Sequence, residues 1–553
     1  MKSKRTPRFL AATLIAALLV SVQPWTGGTV ASAATPANAN ATQAVKDVLN
    51  YFDTVQANNQ IISGQYVRGQ TYGYTETDHV ADLTSGKYPA MIGFDFLYNV
   101  TGPGDLSTWR STIVDEGTDY WKRGGLVTAS WHQTNPLDTT ADAGGWNSVI
   151  SGMSQANFNL VTTPGTTEYN KWLAHIDTIA GYLKSLRDQG VVVLWRPYHE
   201  MNGAWFWWGG KDPASYRKLW QNMYDRFTNY HGLNNLIWVW APAKELPLNS
   251  AYYPGDAYVD LGGVDFYTSD QGDPNFSAAN SQLTAIMGSK RFGLSEVGLV
   301  PHAASIPGYD YTWFLTWAIG WSDNSFYGTP PENQPGNTPY QLTTVYNHAA
   351  TITRDEVPAF GRTIVSGTPI FRDAMNSYTA GNPPPNWTLA TTGGTVTAVL
   401  VPSVGVATAD RSMKINKTST TNAATAEKSF GAQTGVVTFK ATVRTEDLNW
   451  KDFIVYDSAS QAALHIGLQG GYIKAYDGTT LSSIAPIANG AWYNLKVVMN
   501  TATKKFDIYV NGVKVANQFS FKNPAAADVS KLKVGVAADA TGIYYIDNVL
   551  ITK

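Results

Sequence analysis

No cysteine occurs anywhere in the 553 residues. That absence excludes disulfides, zinc–thiolate sites, redox pairs and cysteine nucleophiles together. It leaves core burial to hold the fold, which a chain of this length can supply in two or three domains. Histidine is scarce: the eight present form neither a His-Glu-x-x-His nor a His-x-His pattern, so no histidine-based metal site is expected. Charge is thin as well, at 15% of residues with a net of -2, and no Arg/Lys stripe lies beyond the N-terminus. Nucleic acid, whose phosphates need a concentrated basic face, is thereby set aside as a partner. Long apolar runs are also missing. The best candidate, Phe9 to Val22, is shorter than the roughly 18–20 residues a membrane span requires.

That short run has a different reading. Lys2, Lys4, Arg5 and Arg8 precede it and Ala31-Ser32-Ala33 follows, the basic, apolar, small-x-small order of an export signal. Residues 1–33 are expected to be a signal peptide cleaved near Ala33, and residues 34–41 a tether. The mature chain is expected to be extracellular, free of the membrane and monomeric.

From residue 42 to 358, short apolar runs alternate with helical patterns. The runs are Ile61–Gln65, Tyr88–Phe94, Gly125–Ser130, Val191–Trp195, Leu236–Ala241, Val259–Phe266, Arg291–Glu296 and Phe314–Ala318. Amphipathic stretches such as Asn170–Gln189 and Pro213–Tyr230 lie between them. Eight strands with intervening helices predict an α/β fold, the (β/α)8 or TIM barrel. An open doubly wound sheet would call for a Gly-rich phosphate turn, which the chain lacks. After Pro358 the texture changes. Past a linker at 359–367 the pattern is alternating strands and polar turns, with Asn511-Gly512 as a hairpin signal between "FDIYV" and "VKVA". Residues 368–553 are expected to form an all-β sandwich.

In a barrel of this kind, residues just past the C-terminal ends of the strands face the active site. The fourth strand runs into Arg196, Tyr198, His199, Glu200 and Asn202; the third into Trp131 and His132; the sixth into Asp265 and Tyr267; the seventh into Glu296. Glu200 and Glu296 are therefore expected to converge on one mouth. Two carboxylates across a cleft are the equipment for cleaving a glycosidic bond, provided their surroundings separate their pKa values. The alternative is that both are structural ion-pair partners.

The stretch "WRPYHEMNGAWFWWG" (Trp195–Gly209), with "GLSEVG" (Gly293–Gly298), closely resembles glycoside hydrolase family 26, best known for β-mannanases. "WHQTNP" at Trp131–Pro136 and "VDFY" at Val264–Tyr267 follow in the expected order. The resemblance covers roughly residues 42–358. It implies a (β/α)8 barrel and retaining hydrolysis, with Glu200 as acid/base and Glu296 as nucleophile. It also implies histidines at the positions of His132 and His199, and a floor tryptophan at Trp321. No metal or organic cofactor is called for.

Beside that resemblance, His132 and His199 are placed to hydrogen-bond sugar hydroxyls, unless they are satisfied core residues. Asn202 either binds a sugar hydroxyl or caps its loop. Tyr267 is placed to fix the Glu296 rotamer, and Arg196 either holds Glu296 ionised or makes a structural salt bridge. Trp205 is expected to be a sugar platform, with Trp207 and Trp208 as loop braces. Sixteen of the nineteen tryptophans precede residue 358, which suits a carbohydrate cleft more than ordinary packing. In the sandwich, Trp450, Trp492, Tyr472 and Tyr476 are sugar-contact candidates or core aromatics. The expected activity is endo-cleavage of β-1,4-mannan, glucomannan or galactomannan. Mixed-linkage β-glucan, β-1,3-xylan and exo-acting mannobiohydrolase action stay open, as does, more remotely, a non-catalytic carbohydrate-binding protein.

Overall fold

Eight buried strands pair side by side, all parallel, and the eighth closes on the first. The structure, a computed structural model, describes residues 35–553 apart from 68–75, 98–105, 140–144, 245–246, 269, 271, 274, 318–336, 366–368, 374, 376–377, 401–410 and 512. The expected signal peptide lies outside the described residues. The barrel strands are β1 (Gly64–Tyr66), β2 (Met91–Asp95), β3 (Leu126–Trp131), β4 (Val193–Pro197), β5 (Leu236–Trp240), β6 (Leu261–Phe266), β7 (Phe292–Val297) and β8 (Tyr311–Thr316). The described residues of every one are buried along the whole strand, as a parallel sheet lined inside by side chains and covered outside by helices demands.

The periodicity located the helices well. The stretch from Asn170 becomes a helix over Thr167–Asp188, whose N-cap Thr166 accepts from the Tyr169 amide. Pro213 opens the helix Pro213–Asp225 behind its cap Asp212, and a π-turn, Arg226–Tyr230, finishes it. The eighth strand begins earlier than expected, at Tyr311. That residue is fully buried because its hydroxyl donates to the Phe276 carbonyl at 2.8 Å, a partner no apolar count could reveal.

The C-terminal region is all β among its described residues. Two antiparallel sheets face each other over one apolar core that includes Phe439 and Val497 from one and Phe453 and Ile466 from the other. Arg362, between barrel and sandwich, stacks over Trp121 at 3.7 Å and donates to the Gly124 carbonyl. The two regions touch through buried charge. The barrel helix Leu106–Lys122 presents Glu116 to Lys440 at 3.1 Å, with Asp119 at 3.8 Å from the same ammonium. Arg123 donates to Thr552 Oγ1 at 3.0 Å, and Arg372 donates to the Tyr88 hydroxyl and the Asp78 carbonyl.

An ammonium enclosed against a buried carboxylate is costly to remove alone, because its partner is left uncompensated. Lys440→Met is expected to destabilise the chain by about 3–5 kcal/mol, and adding Glu116→Gln should recover part of the loss. Thermal unfolding of the two variants checks this; a Lys440→Met chain as stable as the parent would mean the contact contributes nothing.

Candidate active site

The turn after β4 departs from ordinary backbone geometry. Tyr198 and Glu200 both have positive φ, 48° and 55°, a region that costs a side-chain-bearing residue about 1–3 kcal/mol. The surroundings hold them there. The Tyr198 hydroxyl accepts from Trp172 Nε1 at 2.7 Å and donates to Gln133 at 2.9 Å, while its carbonyl accepts from the Tyr216 hydroxyl. The Glu200 amide donates to the Ala241 carbonyl at the end of β5. Trp207 and Trp208 brace the loop as expected: fully buried, they donate to the carbonyls of Gln133 and His199 at 2.8 Å each. Asn202 clasps the backbone of Ala243, donating to its carbonyl and accepting from its amide.

Trp205 is different. Its ring is 40% exposed and folds back over Gly203, where a Cβ would lie 2.2 Å from the indole. Glycine is thus required beneath it, and the close approach lets Trp205 Nε1 donate to Glu200 Oε2 at 2.6 Å. Most of the other tryptophans serve packing. Eleven of the sixteen before residue 358 are buried, which corrects the view that their number marks a cleft. A barrel whose interior and helix interface are both apolar absorbs large rings readily.

Glu296, at the end of β7, is 3% exposed. One carboxylate oxygen accepts from Arg196 and the other from the Tyr267 hydroxyl at 2.8 Å. Burial and the Glu296 charge push the Tyr267 phenol well up, so it stays a donor. Arg196, itself 1% exposed, also donates to Asp265 Oδ2 at 2.6 Å and to the Tyr66 hydroxyl at 3.2 Å. Asp265 accepts in addition from Ser295 at 2.7 Å. Among the described residues, Glu200 makes no ion pair of this kind, and Arg196 and His132 act on it only from farther off. Burial and the Glu296 charge raise its pKa to about 7, only partly offset by the Trp205 hydrogen bond.

The two histidines meet edge to face, with their Nε2 atoms 3.1 Å apart. Asp95, on β2, accepts from His132 Nδ1 at 2.7 Å and from Ser130 at 2.8 Å. Burial pulls His132 down, but this carboxylate overrides it and the net shift is upward; the imidazole in turn draws Asp95 down to about 2. Among the described residues, His199 has no carboxylate within hydrogen-bond distance; Glu296 Oε1 stands 3.9 Å from its Nε2. Burial, Arg196 and His132 push it well below the usual range, so it is neutral. His199, Asp265 and Glu296 bring ligand-type atoms within 4.8 Å of one another, and Arg196 pairs with both carboxyl groups there.

The structure thus brings together Arg196, His199, Glu200, Tyr267, Glu296, His132 and Trp205, while Trp321 lies outside the described residues. Sequence reasoning passed over Asp95, Tyr66 and Trp146. Asp95 and Tyr66 end or close their strands, and the strand-end rule applied to β1 and β2 would have found them. Trp146, 44% exposed with its ring 5.1 Å from that of His132, opens the short helix Trp146–Val149, whose composition gives no signal.

The profile of Glycosyl hydrolase family 26 matches residues 37–356, more than half the chain. The chain belongs to glycosyl hydrolase family 26. The mannan endo-1,4-β-mannosidase of Thermothelomyces thermophilus is 34% identical over 301 residues, covering 54% of this chain and 59% of that one. The chain therefore spans about three-fifths of that relative's length. The mannan endo-1,4-β-mannosidase of Bacillus subtilis is 30% identical and matched over 86% of its length by 55% of this chain. Among solved structures, the β-mannanase from a symbiotic protist of the termite Reticulitermes speratus, crystallised with a gluco-manno-oligosaccharide, is 29% identical. It superposes with a TM-score of 0.51, over 61% of this chain and all of its own. The family 26 match covers the barrel and ends before the sandwich.

Within this family 26 barrel, the raised Glu200 pKa has a consequence for stability. A carboxyl held up at about 7, against an ordinary 4.5, favours folding while protonated. Its contribution is full below about pH 4.5 and is lost as pH rises through about 7. Glu200→Gln has no such dependence. The melting temperature of the variant minus that of the parent should therefore grow between pH 5 and pH 8. A constant difference across that range, in calorimetry, would count against a desolvated Glu200.

Proposed function

We propose that the chain is a secreted, retaining endo-β-1,4-mannanase acting on mannan, glucomannan or galactomannan. The observation that carries the reading is the contrast between its two carboxyl groups. Glu296 is clamped by a guanidinium and a phenol, whereas Glu200 lies beside an exposed indole with its pKa raised to about 7. One is prepared to act as an anion and the other to deliver a proton. The mannanase names of the relatives support the choice of substrate.

In the proposed first step, Glu296 attacks the anomeric carbon while Glu200 protonates the departing glycosidic oxygen. Esterification removes the Glu296 charge, one of the two causes holding Glu200 up, so the Glu200 pKa falls once the intermediate forms. The same group is then suited to take a proton from water in the second step. Tyr267 and Arg196 keep Glu296 in its attacking rotamer. Trp205 offers its exposed face to the C–H face of a pyranose next to the acid.

Hydrolysis of mannan, followed by proton NMR of the first-formed anomer, tests the reading; β-configured product is expected. Glu296→Ala should lose activity on every substrate. Glu200→Gln should lose about 10²–10⁴-fold on mannan and far less on aryl glycosides whose leaving group needs no proton. A Glu296→Ala variant that still cuts would overturn the assignment. Because Glu200 must carry its proton, kcat/KM for mannan is expected to fall as pH rises through about 7.

A further inference from the structure

The outer face of the second sandwich sheet carries a cluster that the fold does not need. The neighbouring strands Lys451–Tyr456, Ala462–Gln469 and Tyr472–Asp477 send Phe453, Ile466 and Ile473 into the core. Their opposite faces, together with Trp450 and Lys522, hold Asp452, His465, Gly467 and Tyr476. Trp450 lies over Gly467, where a Cβ would stand 2.2 Å from the indole, so only glycine lets this ring rest on the sheet. Trp450 Nε1 donates to Asp452 Oδ1 at 2.5 Å, and His465 Nε2 donates to the same oxygen at 2.8 Å. Lys522 Nζ donates to His465 Nδ1 at 2.7 Å and sits 4.0 Å over the Tyr476 ring.

Part-exposed charge pairs of this kind add little stability, since water screens them. What the relay achieves is order: each polar group is held in place by the next. Capacity is left over. Among the described residues, Asp452 Oδ2 and two of the three Lys522 N–H groups have no partner. A fixed acceptor beside fixed donors suits vicinal hydroxyls, each of which both donates and accepts. The flat, partly exposed ring alongside suits the C–H face of a pyranose. One carboxylate and one ammonium balance within the cluster, so it has no net charge to draw an ion. Trp492 takes no part, being buried beside Tyr545 in the other sheet.

We propose that this face is a second carbohydrate-binding site, with Trp450 as its platform and Asp452 and Lys522 as its hydroxyl partners, taking a neutral β-linked hexose polymer. Only the choice of mannan as the first probe rests on the function proposed above.

Depletion isotherms of the full chain on insoluble β-mannan and on microcrystalline cellulose test it, alongside Trp450→Ala, Lys522→Met and, as a cleft control, Trp205→Ala. Trp450→Ala is expected to weaken retention about tenfold or more, and Lys522→Met about threefold or more. Both should cleave a soluble manno-oligosaccharide at the parent rate, which shows the fold intact. Retention of Trp450→Ala equal to the parent, retention lost only in Trp205→Ala, or a parent held by neither polymer would each overturn the site. Retention that depends on Trp450 in a chain that hydrolyses no mannan would sink the proposed function and leave the site standing.

Discussion

Arg196 is one cation among acids. It faces Asp265 and Glu296 at once, deep beneath the strand ends, and burial lifts the Asp265 carboxyl well above the usual carboxylate range in spite of that guanidinium. A third carboxyl entering such a region meets desolvation and the Glu296 charge, and Glu200 is that third carboxyl. Its retained proton therefore follows from burial first and from the Glu296 charge second. A second arginine beside Glu296 would anchor it more firmly and, by the same logic, release that proton.

The local backbone answers to this arrangement. A strand running straight on from Pro197 would alternate its side chains and could not aim His199 and Glu200 as observed. Positive φ on both sides of His199 re-aims them, and the rigid surroundings of Tyr198, Trp207 and Trp208 keep the turn from relaxing. The tryptophan-rich sequence is thus two populations in one run. Buried rings lock the turn, and one exposed ring, Trp205, borders the acid.

Much of this was legible in the residues. Parallel strands buried on both faces read as apolar runs, so the barrel emerged from eight of them, and the strand-end rule then placed Glu200, Glu296, His132 and Tyr267 on one side. The misses have physical causes. Tyr311 was skipped because a buried hydroxyl with a partner looks polar in sequence. Asp95 was skipped because β2 reads as core up to its final residue. The weight given to tryptophan number failed because ring size serves packing as well as recognition, and only exposure separates the two uses. The grip of Asn202 on Ala243 joins loops 41 positions apart, a pairing that no local pattern encodes.

The contact between barrel and sandwich makes a bracket of what composition alone would read as a leash. Lys440 seated against Glu116, Arg123 reaching Thr552 and Arg372 reaching Tyr88 remove the freedom to swing. A flexibly hung appendage lets its partner sweep a neighbourhood; a bolted one does not. Anything held by the sandwich would lie at one set offset from the strand ends of the barrel, and shifting that offset would first require these buried contacts to break.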